Sequence, residues 1–447
     1  MSYRVANVTS TALLTDQYEL TMISAALAAG TADRRSVFEV FARRLPDGRR
    51  YGVVAGTGRV LDELERFRFG PDEIAALRER SIVDDDTLAW LADYRFSGDV
   101  DGYAEGELFF PGSPVFTVRG GFAESVLLET LILSILNHDS AVASAGARMV
   151  SAAAGRPIIE MGSRRTHERA AVAAARAAYL SGLAATSNLE AARTYGVPSA
   201  GTAAHSWTLS FTGDDGPDER AAFAAQIARL GTGTTLLVDT YDITTGVRNA
   251  VEVAGPALNA VRIDSGDLGV LARQVRAQLD ELGAVNTKIV VSGDLDEYAI
   301  ASLRAEPVDL YGVGTSLVTG SGAPTAGMVY KLVEVDGVPV AKRASHKESQ
   351  GGTKRAARAA RDTGTVVEEI IYRDGAALPE KVAGNLNVRA LQIPLMRAGR
   401  RVPDLPDLEA SRTHLARGLV SLPWEGLGLS HGDPAIGTRF VNTPEAS

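Results

Sequence analysis

A chain of 447 residues in which 55 acidic side chains outnumber 46 basic ones carries a formal net charge of −9, and 45% of its residues are hydrophobic. That length holds two or three domains with material for a large apolar interior, and with no basic tail or stripe nucleic acid is not an expected partner. Cysteine is absent, which removes disulfides, thiolate nucleophiles and cysteine metal sites together and fits a reducing, cytoplasmic setting.

The opening segment, MSYRVANVTSTALLTDQYELTM, lacks an apolar run between a basic start and a small-residue cleavage site, so no signal peptide is expected. Asp16 to Ala29 reads as a helix, and SVFEVFARRL and ELFFPGSPVFTVRG read as strands with Gly and Pro turns, which makes residues 1–122 an α+β domain. Ala123 to Ala154 is the most apolar helical stretch. Glu124, Glu129, His138, Asp139 and Arg148 interrupt it, well short of an uninterrupted apolar span of about 20 residues. A buried helix or helix pair is expected there, and no membrane association.

Residues 123–325 turn to short apolar strands alternating with Ala-rich helices, the pattern of βα units around a parallel sheet. The strands are PIIEM, LAAT, TLLVDT, AVRID, TKIVVSG and VDLYGVG, and their number suits an irregular or incomplete α/β barrel. Residues 326–447 begin with a hairpin, MVYKLVEVDGVPVAKR, and are expected to pack back on the N-terminal domain, at least in part.

Ligands of parallel α/β folds gather at the carboxyl ends of the strands, and here those ends are polar. PIIEM leads into Arg164 and Arg165, LAAT into Ser187, TLLVDT into Asp239, and AVRID into Asp264, Ser265 and Asp267. TKIVVSG runs into Asp294 and VDLYGVG into Thr315. His205 follows the small-residue turn SAGTAA near what reads as another strand start. Alone, it reads first as a surface or core histidine held by a hydrogen bond. The segment Arg262 to Asp267 suits ribose hydroxyls, Mg2+ or phosphate, but Ser265 or Asp267 also suits a helix cap. Gly312, Gly314 and Thr315 offer open amides and a hydroxyl to a phosphomonoester, or form a plain loop. Arg164 and Arg165 suit a carboxylate or pyrophosphate, or solvent. Lys342, Lys347, Lys354 and Arg358 punctuate a segment that covers a polyphosphate or is simply solvated. No zinc spacing and no nucleophile-elbow serine occurs.

Read together, the words TDQYELTM, EMGSRR, GTAAHSW, LVDTYD, RIDSGDL, SGDL and GVGTSL resemble the nicotinate phosphoribosyltransferase family in order and spacing, from Leu14 to about Arg358. The resemblance implies a type II phosphoribosyltransferase with an irregular barrel and a mixed N-terminal domain. It also implies a homodimer in which the opening motif reaches the partner subunit's site. Nicotinate and phosphoribosyl pyrophosphate would give nicotinate mononucleotide and pyrophosphate in NAD salvage, with ATP and Mg2+ as cofactors and metal ligands unassigned. By the same resemblance His205 is phosphorylated by ATP, with Asp239 near the phosphohistidine or the metal. Arg262, Asp264 and Asp294 hold ribose and phosphate groups, and Gly312, Gly314 and Thr315 the 5′-phosphate. Tyr18 stacks on the pyridine, Arg164, Arg165 and Ser206 lie by the substrate, and Lys347 and Lys354 lie by the nucleotide.

Nicotinamide-using relatives carry an Asp where this chain has Ser187, and an Asp there repels a carboxylate. Met161 stands where an aromatic often closes the ring sandwich, which puts ring affinity in question. The alternatives are nicotinamide or quinolinate as the pyridine, a barrel lyase or isomerase acting on sugar phosphates, and a silent metabolite sensor.

Overall fold

The structure is a computed structural model that describes residues 10–214, 216–342, 350–378, 381–382 and 385–441. It divides into two compact units, one made of residues 1–141 and 325–447 and the other of residues 142–324.

The second unit is built on a six-stranded sheet whose pairings are all parallel. Its order is Thr235–Leu237, Ala260–Ile263, Lys288–Val291, Leu310–Val313, Ile158–Glu160 and Ala185–Thr186. These are the six segments read as strands in the sequence. Leu236, Val261, Ile263, Ile289, Val291 and Val313 are buried, as expected for strands covered on both faces by their crossover helices. The sheet curls as a half-barrel and stays open between its first and last strands, so the incomplete form of the predicted barrel is the one adopted.

The crossover helices start where the sequence supplies a cap. Asn188, Asp218, Asp242, Asp267 and Asp296 each accept a hydrogen bond from a first-turn amide of the helix that follows. For Asp267 the helix-cap reading therefore holds, whereas Ser265 turns its hydroxyl to Asp239. The predicted strand near His205 is replaced by a short helix, His205–Leu209.

The first unit interleaves strands from both ends of its sequence. A seven-stranded sheet runs Val338–Pro339, Met328–Val335, Arg35–Ala42, Phe116–Gly121, Asp99–Tyr103, Gln392–Arg397 and Arg400–Arg401. Tyr103, Phe116, Tyr330 and Phe67 are fully buried in its core. The expected helix pair appears as Phe122–Val126 followed by Glu129–Ala153. Together they are long and apolar enough to cross a membrane, but 67% of the most apolar stretch is buried within the protein.

The basic segment differs from its reading as a loop. Lys354–Ala360 is a strand in a five-stranded sheet, and the Lys354 and Arg358 side chains are buried in the protein. The Lys354 ammonium pairs with Glu39 at 2.8 Å and donates to the carbonyls of Gln350 and Gly352. Arg358 pairs with Glu107 at 2.6 Å and Glu369 at 2.5 Å. Held by this ion pair and by two carbonyls, Lys354 is a structural counter-ion rather than a free cation for a nucleotide. Glu39 is fully buried, so Lys354→Met should cost about 3–5 kcal/mol, the scale for stranding one member of a buried pair. Denaturant unfolding measures this, and an unchanged midpoint would contradict the assignment.

Candidate active site

The carboxyl ends of the parallel strands bring His205, Asp239, Arg262 and Asp264 together. Asp239 follows the strand Thr235–Leu237, and its side chain is 1% exposed. Its Oδ2 accepts from the Asp264 amide at 2.8 Å and the Ser265 hydroxyl at 2.9 Å. Its Oδ1 is buried with no hydrogen-bond partner and lies 3.9 Å from His205 Nε2. Asp264 Oδ2 is also 3.9 Å from that nitrogen. On the other side of the ring, Nδ1 is 3.1 Å from the Thr240 hydroxyl. The imidazole is 39% exposed, so a reactant can reach it.

Arg262 braces the cluster. Its Nε donates to Ser292 at 2.7 Å, Nη1 to Thr202 at 3.0 Å, and Nη2 to Asp264 at 2.7 Å. The loop that delivers His205 is thereby pinned to the sheet by a planar fork of donors, a task a lysine could not perform. Burial would raise the Asp264 carboxyl, but donation from Ser292 and Arg262 outweighs it and holds the group below the usual carboxylate range. Asp264 is therefore ionised at neutral pH.

The SGDL turn approaches the same strand end. Gly293 has φ +112°, and a Cβ there would sit 2.3 Å from the Asp264 carbonyl, so only glycine fits. Asp294 follows with φ +46° and is exposed, a left-handed conformation that Asp tolerates better than most residues. Gly312 lies within the strand Leu310–Val313, and a Cβ on it would meet the Met161 sulfur at 2.9 Å. Gly314 precedes the four-residue helix Thr315–Val318. Arg164 and Arg165 are exposed, and among the described residues their guanidinium groups have no ion-pair partner. Ser187 is half-buried, its amide bonded to the Glu160 carbonyl at 2.8 Å. Ser206 is exposed in the first turn of the His205 helix.

Tyr18 belongs to the other unit. It is 46% exposed in the helix Gln17–Ala28, and burial, with Glu129 and Glu19 nearby, pushes its phenol up to about 12. Glu19 beside it is fully buried, capped by Thr130, and burial raises its carboxyl to about 7. Lys347 lies outside the described residues.

Thr202, Thr240 and Ser292 had no role in the sequence reading. Each is a letter of a quoted motif, but a hydroxyl's partner becomes visible only when strands far apart in sequence are aligned. Among the described residues no group of three or more His, Asp or Glu side chains forms a metal site. Asp239 and Asp264 do supply hard oxygen donors, one of them an unsatisfied buried atom. That set suits Mg2+, which keeps waters and takes its remaining ligands from phosphates.

Comparison with known proteins places this arrangement. Residues 13–137 match the nicotinate phosphoribosyltransferase N-terminal domain model, and residues 157–368 the nicotinate phosphoribosyltransferase family model. The chain is 65% identical to nicotinate phosphoribosyltransferase pncB1 of Mycobacterium tuberculosis over 96% of its own length and 95% of the relative's. It is 31% identical to the nicotinate phosphoribosyltransferase of Homo sapiens over 90% and 89%. The crystal structure of human nicotinic acid phosphoribosyltransferase superimposes with a TM-score of 0.83 at 27% identity, covering 96% of this chain and 98% of that one.

Proposed function

The chain belongs to the nicotinate phosphoribosyltransferase family, and we propose from that premise how its residues carry out the reaction. The enzyme forms the C–N bond between nicotinate and the ribosyl group of phosphoribosyl pyrophosphate. The pyridine nitrogen's lone pair attacks C1, the C1–O bond breaks, and pyrophosphate leaves with that electron pair. A displacement with so much cationic character at the sugar depends on position and charge more than on a base. Asp264 and Asp294 hold the ribose, Arg262 orients Asp264 and faces phosphate, and Gly312, Gly314 and Thr315 take the 5′-phosphate. Arg164 and Arg165 face the pyridine carboxylate or the pyrophosphate, Ser206 lies by the substrate, and Ser187 leaves room for a negative charge. Mg2+, held by Asp239, Asp264 and the phosphates, would neutralise the leaving group. Tyr18 stacks on the pyridine ring of the partner subunit in a cytoplasmic homodimer.

ATP is coupled through His205. The unsatisfied Oδ1 of Asp239 facing the imidazole is the observation that carries this reading. Two carboxylates near Nε2 favour a proton on that nitrogen and leave the lone pair on Nδ1, the logic by which a carboxylate orients a catalytic histidine. Nδ1 then attacks the γ-phosphorus of ATP, ADP leaves with the electrons of the broken P–O bond, and Thr240 is placed to donate to the new phosphoryl group. Lys347 is the remaining candidate for a nucleotide contact, since Lys354 is committed to Glu39. Incubation with γ-labelled ATP and Mg2+ should give an acid-labile, alkali-stable label on His205. Its absence, or label on another residue, would contradict the coupling.

A further inference from the structure

One buried carboxylate in the second unit has no part in the chemistry above. Glu160 ends the strand Ile158–Glu160 and is 0% exposed. Its Oε1 accepts from the Gly162 amide, its Oε2 from the Thr186 hydroxyl, and its carbonyl from the Ser187 amide at 2.8 Å. Thr186, equally buried, extends the network: its Oγ1 accepts from the Asn188 amide at 2.9 Å, and its main chain bonds to Pro198 and Ala200, each at 2.9 Å. Asn188 Nδ2 closes the ring by donating to the Ser163 hydroxyl at 3.0 Å.

The Glu160 side chain thus ties the start of the loop of Arg164 and Arg165 to Thr186, whose main chain in turn holds the segment leading to His205, while the Glu160 carbonyl holds Ser187. Gly162 is squeezed at the junction, for a Cβ there would lie 2.9 Å from Glu160 Oε1 and 2.3 Å from Val318 Cγ1. No cation pairs with Glu160 among the described residues. Burial raises its carboxyl above the ordinary value, and the Thr186 and Gly162 donors offset this only in part. Packing alone gives no reason to bury an ion without a counter-charge. The reason lies in the bonds: an ionised carboxylate accepts from both sides at once, which an amide cannot do.

We propose that Glu160 is a positioning residue for the pyridine subsite, its carboxylate clamping the arginine-bearing loop to the Ser187 loop so that the pocket for the substrate's carboxylate keeps one fixed width. The proposal rests on the nicotinate reading above. Thr186 is the second half of the clamp.

Glu160→Gln keeps the volume but must turn one acceptor into a donor. It should raise KM for nicotinate about tenfold, the scale of one lost hydrogen bond to a charged group. kcat, KM for phosphoribosyl pyrophosphate and the thermal midpoint should stay within about twofold or a few degrees. Thr186→Val should copy that pattern and Thr186→Ser should restore the native KM, so the test survives if one variant fails to fold. An unmoved nicotinate KM in both, or a loss confined to kcat or to thermal stability, overturns the clamp. Native enzyme that releases no pyrophosphate with nicotinate overturns the substrate reading, and the clamp with it.

Discussion

Ser187→Asp should cut kcat/KM for nicotinate by about 10³ and make nicotinamide the better substrate. Two carboxylates about 4 Å apart repel by about 4 kcal/mol at an effective dielectric near 20, close to three decades in transition-state affinity. Ser187 is half-buried and its amide is bonded to the Glu160 carbonyl, which fixes the backbone from which the new charge would project. Nicotinamide carries no charge to repel, and its amide can donate to the Asp. Steady-state kinetics with both pyridines decide the matter, and nicotinate kinetics that do not change would remove Ser187 from the pocket.

His205→Ala should abolish ATP hydrolysis and leave a slow transfer that ATP no longer accelerates. The displacement at C1 needs no phosphate from ATP, so in the coupling proposed above ATP would act by linkage, favouring substrate binding or a competent site through the phosphorylated state. Coupling free energies of that kind are about 1–3 kcal/mol, or roughly 5- to 150-fold, which sets the size of the lost stimulation. The ratio of ADP to pyrophosphate formed is the readout. Full ATP-stimulated turnover in the variant would place the phosphoryl acceptor elsewhere.

The six parallel strands were legible because each is a short apolar run ending on a polar residue, the mark of a strand buried on both faces. Their spatial order was not, because it depends on which crossovers fold to which side; whether the sheet closes is settled by that order rather than by strand count. Lys354 and Arg358 misled for a related reason. An alternation of cations and alanines suggests a solvated segment until Glu39, 315 residues away, is seen against the Lys354 amide. At the site, the motif letters named the side chains, whereas the grip of Arg262 on Thr202, 60 residues apart, and the ring around Glu160 depend on loops that meet only in three dimensions. His205 opens a helix rather than a strand: the backbone is extended at Ala204, and the helix begins at the histidine itself.

Pyrophosphate release by the purified protein with phosphoribosyl pyrophosphate and Mg2+, comparing nicotinate, nicotinamide and quinolinate with and without ATP, tests the central claim most directly. Release selective for nicotinate and stimulated by ATP is the expected result. Release with nicotinamide or quinolinate in preference, or with no pyridine at all, would contradict it.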